Sequence, residues 1–423
     1  SILSVRAERQ EVRLTFVTHL ECAMCARRFD ATKLHNMCPT CARPLWVRYD
    51  LAAVGRELTK RTLERRAPSM WRYGELLPMR DPANVVSLGE TMTPLVSAKR
   101  LAERFGLDDL LVKDESRLPT GSFKARGMAL ALSRAKELGA ERVALASVGH
   151  AGPATAAYAA RAGLDAWIFM PDDTPTIDQK ECRLAGAHTF LVGGQLHDCA
   201  RIVADGQLPM EWFDISTLRE PYRIEGKKTM GFELAEQLGW ELPDVILHPT
   251  GGGTGLLGMW KAFAELESLG WLTNPRKPRL YACQSDGCAP LATAFARGER
   301  FAPRAESVRT VASGLRVPAV VGDFMLLDAV RQSGGAVLAL PEGEIGRWMR
   351  LAASDDGLFL CPEAALCLGA LETMRMRGQI KRGMKVVLWN TGAAHESPEA
   401  MEAALPRIDL GKPLDWAALR KAA

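Results

Sequence analysis

Lys124 stands in the segment LPTGSFKARG (118–127), between a Pro-Thr-Gly turn and an apolar, helix-like run from Met128 to Leu138. A primary amine at a strand-to-helix turn, flanked by residues that restrict water, can shed its proton and form an imine with a carbonyl. Far downstream, Thr250-Gly251-Gly252-Gly253-Thr254-Gly255 follows the apolar run VILHPT and opens the helix-like LLGMWKAFAEL. Residues without side chains let backbone amides converge on an anion, and a helix N-terminus adds a favourable dipole. An imine-forming amine and a phosphate cradle are together the two handles by which a protein holds pyridoxal phosphate. The glycine loop alone leaves a rival reading open. Gly253-Thr254-Gly255-Leu256-Leu257-Gly258 also fits GxGxxG, and the next strand ends in Asp286. That dinucleotide reading leaves Lys124 without a role, and its acid lies beyond the usual spacing of roughly 20 residues.

Three further stretches carry polar groups suited to such a site. Ser147-Val148-Gly149-His150-Ala151-Gly152 joins a strand to a helix of small residues, so its polar groups can face a cofactor. Tyr222–Thr229, YRIEGKKT, is a dense polar cluster that reads as lying just before a helix. Asn390-Thr391-Gly392 ends the last buried strand and places a hydroxyl where a ring nitrogen could meet it.

The elements that must position these residues alternate in type. Strands are expected at 110–115, 142–147, 166–171, 188–193, 245–250, 279–285, 336–341 and 385–391. Helices are expected after Lys124 and over 151–162, 177–185 and 196–203. Such alternation predicts an α/β chain with largely parallel sheets covered by helices, with ligands at the carboxyl ends of the strands. Residues 51–66 read as one charged amphipathic helix, with 60–66 (KRTLERR) its solvated face.

At 423 residues the chain has room for two or three domains, and its apolar and charged fractions are those of an ordinary globular protein. The net charge of +4, with scattered basic residues, gives no footprint for nucleic acid. No apolar run reaches the roughly 20 residues that span a bilayer, and the start lacks the apolar core of a signal peptide. A cytoplasmic location is the expectation. Cys22-x2-Cys25 and Cys38-x2-Cys41 are two CxxC knuckles, each able to present two thiolates to one tetrahedral zinc, and strands at 13–18 and 45–49 would complete a zinc ribbon. Cys182, Cys199, Cys283, Cys288, Cys361 and Cys367 read as small buried apolar residues.

Taken in order, PTGSFKARG, SVGHAG, YRIEGKKT, PTGGGTGL and NTG resemble the threonine synthases, which are tryptophan-synthase-β-like, fold type II pyridoxal-phosphate enzymes. The N-terminal ribbon and SLGETMTPL (87–95) are similar to the longer members. The resemblance implies two open twisted α/β domains behind the ribbon: a ribbon at 1–50, a large cofactor domain at 51–130 and 210–423, and a smaller domain at 131–209. It implies that Lys124 forms the imine and then shuttles protons, and that Phe123 lies against the cofactor. Gly251, Gly252, Gly253, Thr254 and Gly255 would bind the cofactor phosphate, and Thr391 would face the pyridine nitrogen. His150 stands where the family has an asparagine bonded to the ring 3′-oxygen. Ser147 and Arg201 fall in regions that bind substrate. The implied reaction converts O-phosphohomoserine and water to threonine and phosphate, in a homodimer.

Two departures bear on the substrate. SSGN of the family is Ser147-Val148-Gly149-His150 here, which replaces a hydroxyl by valine and an amide by an imidazole that can titrate. TGxGLKD of the family is Thr391-Gly-Ala-Ala-His395-Glu396, where His395 either reaches the site or caps a loop. These changes leave room for a serine/threonine dehydratase-like elimination, or for β-replacement on O-phosphoserine. An intact Lys124 weighs against a protein that only binds.

Overall fold

A computed structural model describes residues 15–274, 276–306 and 308–401, and further on 405, 407–409, 411 and 413–422. Every strand foreseen from Leu110 onward forms, with ends within a residue of those expected. Six strands make one sheet in the order Ala336–Leu340, Arg279–Ser285, Val245–Pro249, Val386–Asn390, Leu110–Asp114, Leu95–Ser97. All are parallel except the edge strand Leu95–Ser97. The central members are runs of Val, Ile and Leu buried on both faces, as a helix-covered parallel sheet requires. Val245–Pro249, Val386–Asn390 and Leu110–Asp114 are neighbours, so the glycine loop, Thr391 and the lysine turn leave adjacent carboxyl ends. A four-stranded parallel sheet, His188–Val192, Asp165–Pro171, Arg142–Ala146 and Phe213–Asp214, carries Ser147–His150 at the end of its inner strand. Its last strand lies just beyond position 209.

The helix Lys124–Glu137 is buried on nearly every side and packs against both Tyr222–Gln237 and Ala151–Ala162. Gly226 makes the first of these crossings possible, because a Cβ there would overlap the Arg126 carbonyl. Beside the crossing lies a fully buried ionic network. Arg126 donates to Glu115 through Nε (2.6 Å) and Nη2 (3.0 Å), to Glu233 through Nη2 (2.6 Å) and to Thr229 Oγ1 (3.1 Å). Lys113 Nζ is 3.1 Å from Glu233 and donates to the Thr93 carbonyl and Gln237. Burial would raise the Glu115 carboxyl, but Arg126 holds it below its ordinary value.

Three expectations change. YRIEGKKT does not precede a helix but forms the first turns of Tyr222–Gln237, and most of its charges pair inside the protein. Glu225 meets Lys228 (2.7 Å), Lys261 and Tyr49 (2.7 Å), and Lys228 also reaches Glu265 (2.9 Å). With Lys261 Nζ donating to the Val47 carbonyl (2.7 Å), this cluster ties the N-terminal module to the large sheet. Residues 51–66 form two helices, Leu51–Glu57 and Lys60–Glu64, because extended Thr59 caps the second by accepting from Thr62 N–H. The helix expected over 196–203 runs on to Met210.

The N-terminal module is an antiparallel sheet of Arg28–Phe29, Val17–Cys22 and Leu45–Tyr49. The strand expected at 13–18 begins at Val17, and 13–14 lie outside the described residues. Cys22, Cys25, Cys38 and Cys41 bring their sulfurs within 4.8 Å of one another. The six scattered cysteines are all buried, as expected. Among the described residues no helix is long and apolar enough to cross a membrane.

Removing one member of a buried charge network strands the others. Arg126→Met should cost about 3–5 kcal/mol, read as a fall in the urea midpoint. Arg126→Lys, which keeps the charge without the fork, should fall between it and the parent protein.

Candidate active site

A cleft opens between the two parallel sheets, lined by Phe123, Lys124, Val148–His150, the glycine loop, Glu363 and Thr391. The lysine turn is zipped to the end of strand Val386–Asn390: Phe123 N–H donates to the Thr391 carbonyl and Ala393 N–H to the Gly121 carbonyl, both at 2.9 Å. Thr120 and Gly121 both take left-handed φ, 58° and 61°, to make this turn. Lys124 begins its helix with its amine 4.8 Å from the Phe123 ring centre. Burial, with the nearby Arg223 charge, pushes Lys124 down to about 8, the shift that imine formation near neutrality needs.

The glycine loop is a tight cradle. A Cβ on Gly252 would meet Thr217 Cγ2 at 2.6 Å, and Gly253 has φ +81° where it starts the helix Thr254–Ser268. Its amides and the helix N-terminus therefore face the cleft with no side chain between, which fits a phosphate. Thr391 Oγ1 is buried, 3.6 Å from Cys361 Sγ. Ser147 turns inward: its hydroxyl donates to the Gly149 carbonyl (2.7 Å) and accepts from Gly152 N–H (3.0 Å), so it shapes the loop. Arg201 is 70% exposed, pairs with Asp198 at 3.2 Å, and lines a separate cleft that touches the cradle at Gly252. The structure thus gathers Lys124, Phe123, His150, the glycine loop and Thr391, and leaves Arg201 outside.

Further groups lie in or beside the cleft, and of these His248, Glu363 and Asp178 carried no signal in the sequence. His248, below Phe123, donates from Nδ1 to the Pro249 carbonyl (2.7 Å) and is pushed down to about 3 by burial and then by Lys227. It is a neutral imidazole with Nε2 unbonded. Lys227 is buried with its Nζ 2.9 Å from the Phe123 ring centre, and burial, followed by Lys124, lowers it well below an ordinary lysine. Glu363, at the start of helix Pro362–Met376, accepts from Gly314 N–H at 2.9 Å through Oε1. Asp178 and Glu396 are buried nearby, and each is pushed up to about 8, first by burial and then by the neighbouring carboxylates. His395 is exposed on the turn Ala394–Glu396, and its neighbour Glu396 reaches inward instead. Glu396 Oε2 is 3.2 Å from His150 Nε2, close enough for attraction but misaligned for a hydrogen bond. His150 is lowered by burial and by Lys124, against the pull of Glu363.

The buried lysine and the glycine cradle both fall within the part of the chain that matches known proteins. Residues 86–392 match the family described as pyridoxal-phosphate dependent enzyme. The threonine synthase of Methanocaldococcus jannaschii is 31% identical over 380 residues, covering 90% of this chain and 93% of the relative. This chain belongs to the threonine synthase family of pyridoxal-phosphate enzymes. The threonine synthase of a Synechocystis species is 33% identical over 331 residues, 77% of this chain and 82% of the relative. Among solved structures, maize serine racemase superposes with TM-score 0.62 at 22% identity, covering 78% of this chain and 92% of that one, a likeness of fold. The fold type II architecture is thereby established, and the chain is a pyridoxal-phosphate-dependent lyase.

The raised carboxyls have a consequence for stability. Asp178, ordinarily 3.8, holds its proton in the folded protein up to about 8. Its contribution is therefore full below about pH 4 and is lost as pH rises to about 8. Asp178→Asn removes that loss, so the variant should gain Tm relative to the parent at about pH 9 and not at about pH 4. Calorimetry showing the same difference at both would contradict the assignment.

Proposed function

We propose that this lyase removes a leaving group from a small amino acid, with Lys124 as the group that holds the cofactor and moves the reacting proton. The observation that carries this is the buried, low-pKa amine of Lys124 sharing one cleft with the glycine cradle. Pyridoxal phosphate, when bound, supplies the electron sink for the carbanion left by proton loss. Gly251–Gly255 and the N-terminus of helix Thr254–Ser268 would hold its phosphate. Phe123 would pack against it, with the Thr391 hydroxyl toward its ring nitrogen and His150 toward its 3′-oxygen. A neutral hydroxyl at the ring nitrogen favours elimination and replacement over transamination. The helix Ala151–Ala162 turns its N-terminus toward the cleft, a fit for the substrate carboxylate.

The relatives' names support conversion of O-phosphohomoserine and water to threonine and phosphate as the specific reaction. A second reading, elimination or replacement on an amino acid without a phosphate, is favoured by Val148, which cannot bond a phosphate, and by the carboxylates around His150. Product analysis decides between them. Phosphate and threonine formed from O-phosphohomoserine support the first, and keto acid or a replacement product from a phosphate-free amino acid supports the second. Purified protein should show a visible absorbance band that Lys124→Ala abolishes. A colourless protein that takes up no added cofactor defeats both readings.

The four N-terminal cysteines fit one structural zinc. A tetrahedron with Zn–S of about 2.3 Å has edges near 3.8 Å, and the Cys22–Cys41, Cys25–Cys38 and Cys25–Cys41 sulfur separations are 3.3, 3.7 and 3.8 Å. Metal analysis should find about one zinc per chain, with none in a Cys22→Ser/Cys38→Ser variant. The family also carries the expectation of a homodimer, which light scattering on the purified protein tests.

A further inference from the structure

We propose that the amino-acid substrate carries a cationic group on its side chain, seated among Asp178, Glu363 and Glu396 beside the loop Val148–His150. This rests on the lyase reading and, of its two forms, on the second, an amino acid without a phosphate. The three carboxyl groups come from separate elements: the helix Thr176–Leu184, the start of Pro362–Met376 and the turn Ala394–Glu396. Asp178 is 2% exposed and Glu363 5%, and in each one oxygen (Oδ2 and Oε2) has no hydrogen-bond partner. An independent group points to the same place. Ser313 Oγ, 1% exposed and also unbonded, lies 2.9 Å from the position a Cβ on Gly149 would occupy, and Asp178 Oδ2 lies 3.8 Å from that point. Buried oxygens are rarely left unbonded in a native protein, and the Ser313 and Asp178 oxygens beside Gly149 are acceptors that an ammonium or guanidinium donor satisfies.

The charge balance agrees. Among the described residues, no lysine or arginine side chain bonds to any of these three carboxylates. Lys124 is the cation that favours ionised Asp178, and no ion pair joins the two. Asp178 and Glu396 are raised first by burial and then by neighbouring carboxylates, Glu181 and Glu363 among them. The adjacent cleft continues the same sign, with Asp172, Asp173 and Glu399 on its walls and Arg316 tied to Asp173 at 3.1 Å. At this entrance a dianionic phosphate would meet Asp172, Asp173 and Glu399 against the single charge of Arg316, whereas a cation would be drawn in.

The test titrates the cofactor-loaded enzyme with matched amino acids: L-2,4-diaminobutyrate, L-homoserine and O-phospho-L-homoserine, then L-2,3-diaminopropionate, L-serine and O-phospho-L-serine. Binding is read from the cofactor absorbance and, independently, by calorimetry. The diamino acid of at least one set should bind about tenfold or more tighter than its hydroxy partner, with the phospho compound weakest. Asp178→Asn and Glu363→Gln should each erode that preference about tenfold while sparing the hydroxy amino acid. Glu396→Gln serves if either variant fails to fold. Tightest binding of a phospho or hydroxy amino acid, or a preference unmoved by the variants, would overturn the inference and leave the lyase reading standing. Failure to take up the cofactor would overturn both.

Discussion

Arg126 is the constraint on which the site depends. Its guanidinium joins Glu115, at the end of the strand that leads into the lysine turn, to Glu233 on the helix Tyr222–Gln237. Lys124 lies two residues earlier on the same helix, so any slip of Arg126 would move the reactive amine. Burying four charges is tolerable only when each meets an opposite partner, which gives the arrangement one register and heavily penalises its neighbours. Gly226 adds a steric lock, since the same helix crossing closes onto the Arg126 carbonyl. The lysine is therefore held by a rigid scaffold, although it sits at the end of a turn built from left-handed residues.

Strand order does the rest of the positioning. Because Val386–Asn390 lies between Leu110–Asp114 and Val245–Pro249, the chain end that carries Thr391 emerges between the lysine turn and the phosphate cradle. The two backbone bonds that zip 121–123 to 391–393 turn this adjacency into a fixed distance. They also carry the chain past Lys124 and drop Glu396 over Gly121, where a side chain could not coexist with it. One topological decision thus delivers both the hydroxyl that suits the cofactor and a carboxyl that bears on the substrate.

What the sequence made legible was local. Runs of Val, Ile and Leu mark buried parallel strands wherever they fall, and Lys124 and Gly251–Gly255 announce themselves by the turns around them. Asp178, Glu363, Glu396 and His248 did not, because each is a single residue on an ordinary element and acquires meaning only when distant segments meet. YRIEGKKT misled for the opposite reason. Its charges looked like a polar approach to the cofactor, but they are satisfied by Tyr49, Lys261 and Glu265 from elsewhere in the chain. Lys227 is the exception in that stretch, unpaired against Phe123 and lowered well below an ordinary lysine by burial. At the C-terminal loop the reading weighed His395, and the tight turn Ala394–Glu396 presents the next residue instead.

The same low dielectric that frees the Lys124 amine raises the Asp178 and Glu396 carboxyls to about 8. Burial acts on both in the direction of neutrality, so an empty site can hold an amine and several acids without large net charge. That balance is conditional. A cation arriving there stabilises the ionised forms of Asp178 and Glu396, and by linkage the ionised forms bind the cation more tightly. Asp178 and Glu396, raised to about 8, would release protons as such a ligand binds near neutrality, whereas a neutral or anionic ligand would leave them protonated. Val148 fits this division of labour. By offering no hydroxyl at the loop it removes a partner for an anionic group, and leaves recognition of the side chain to the acids behind Gly149.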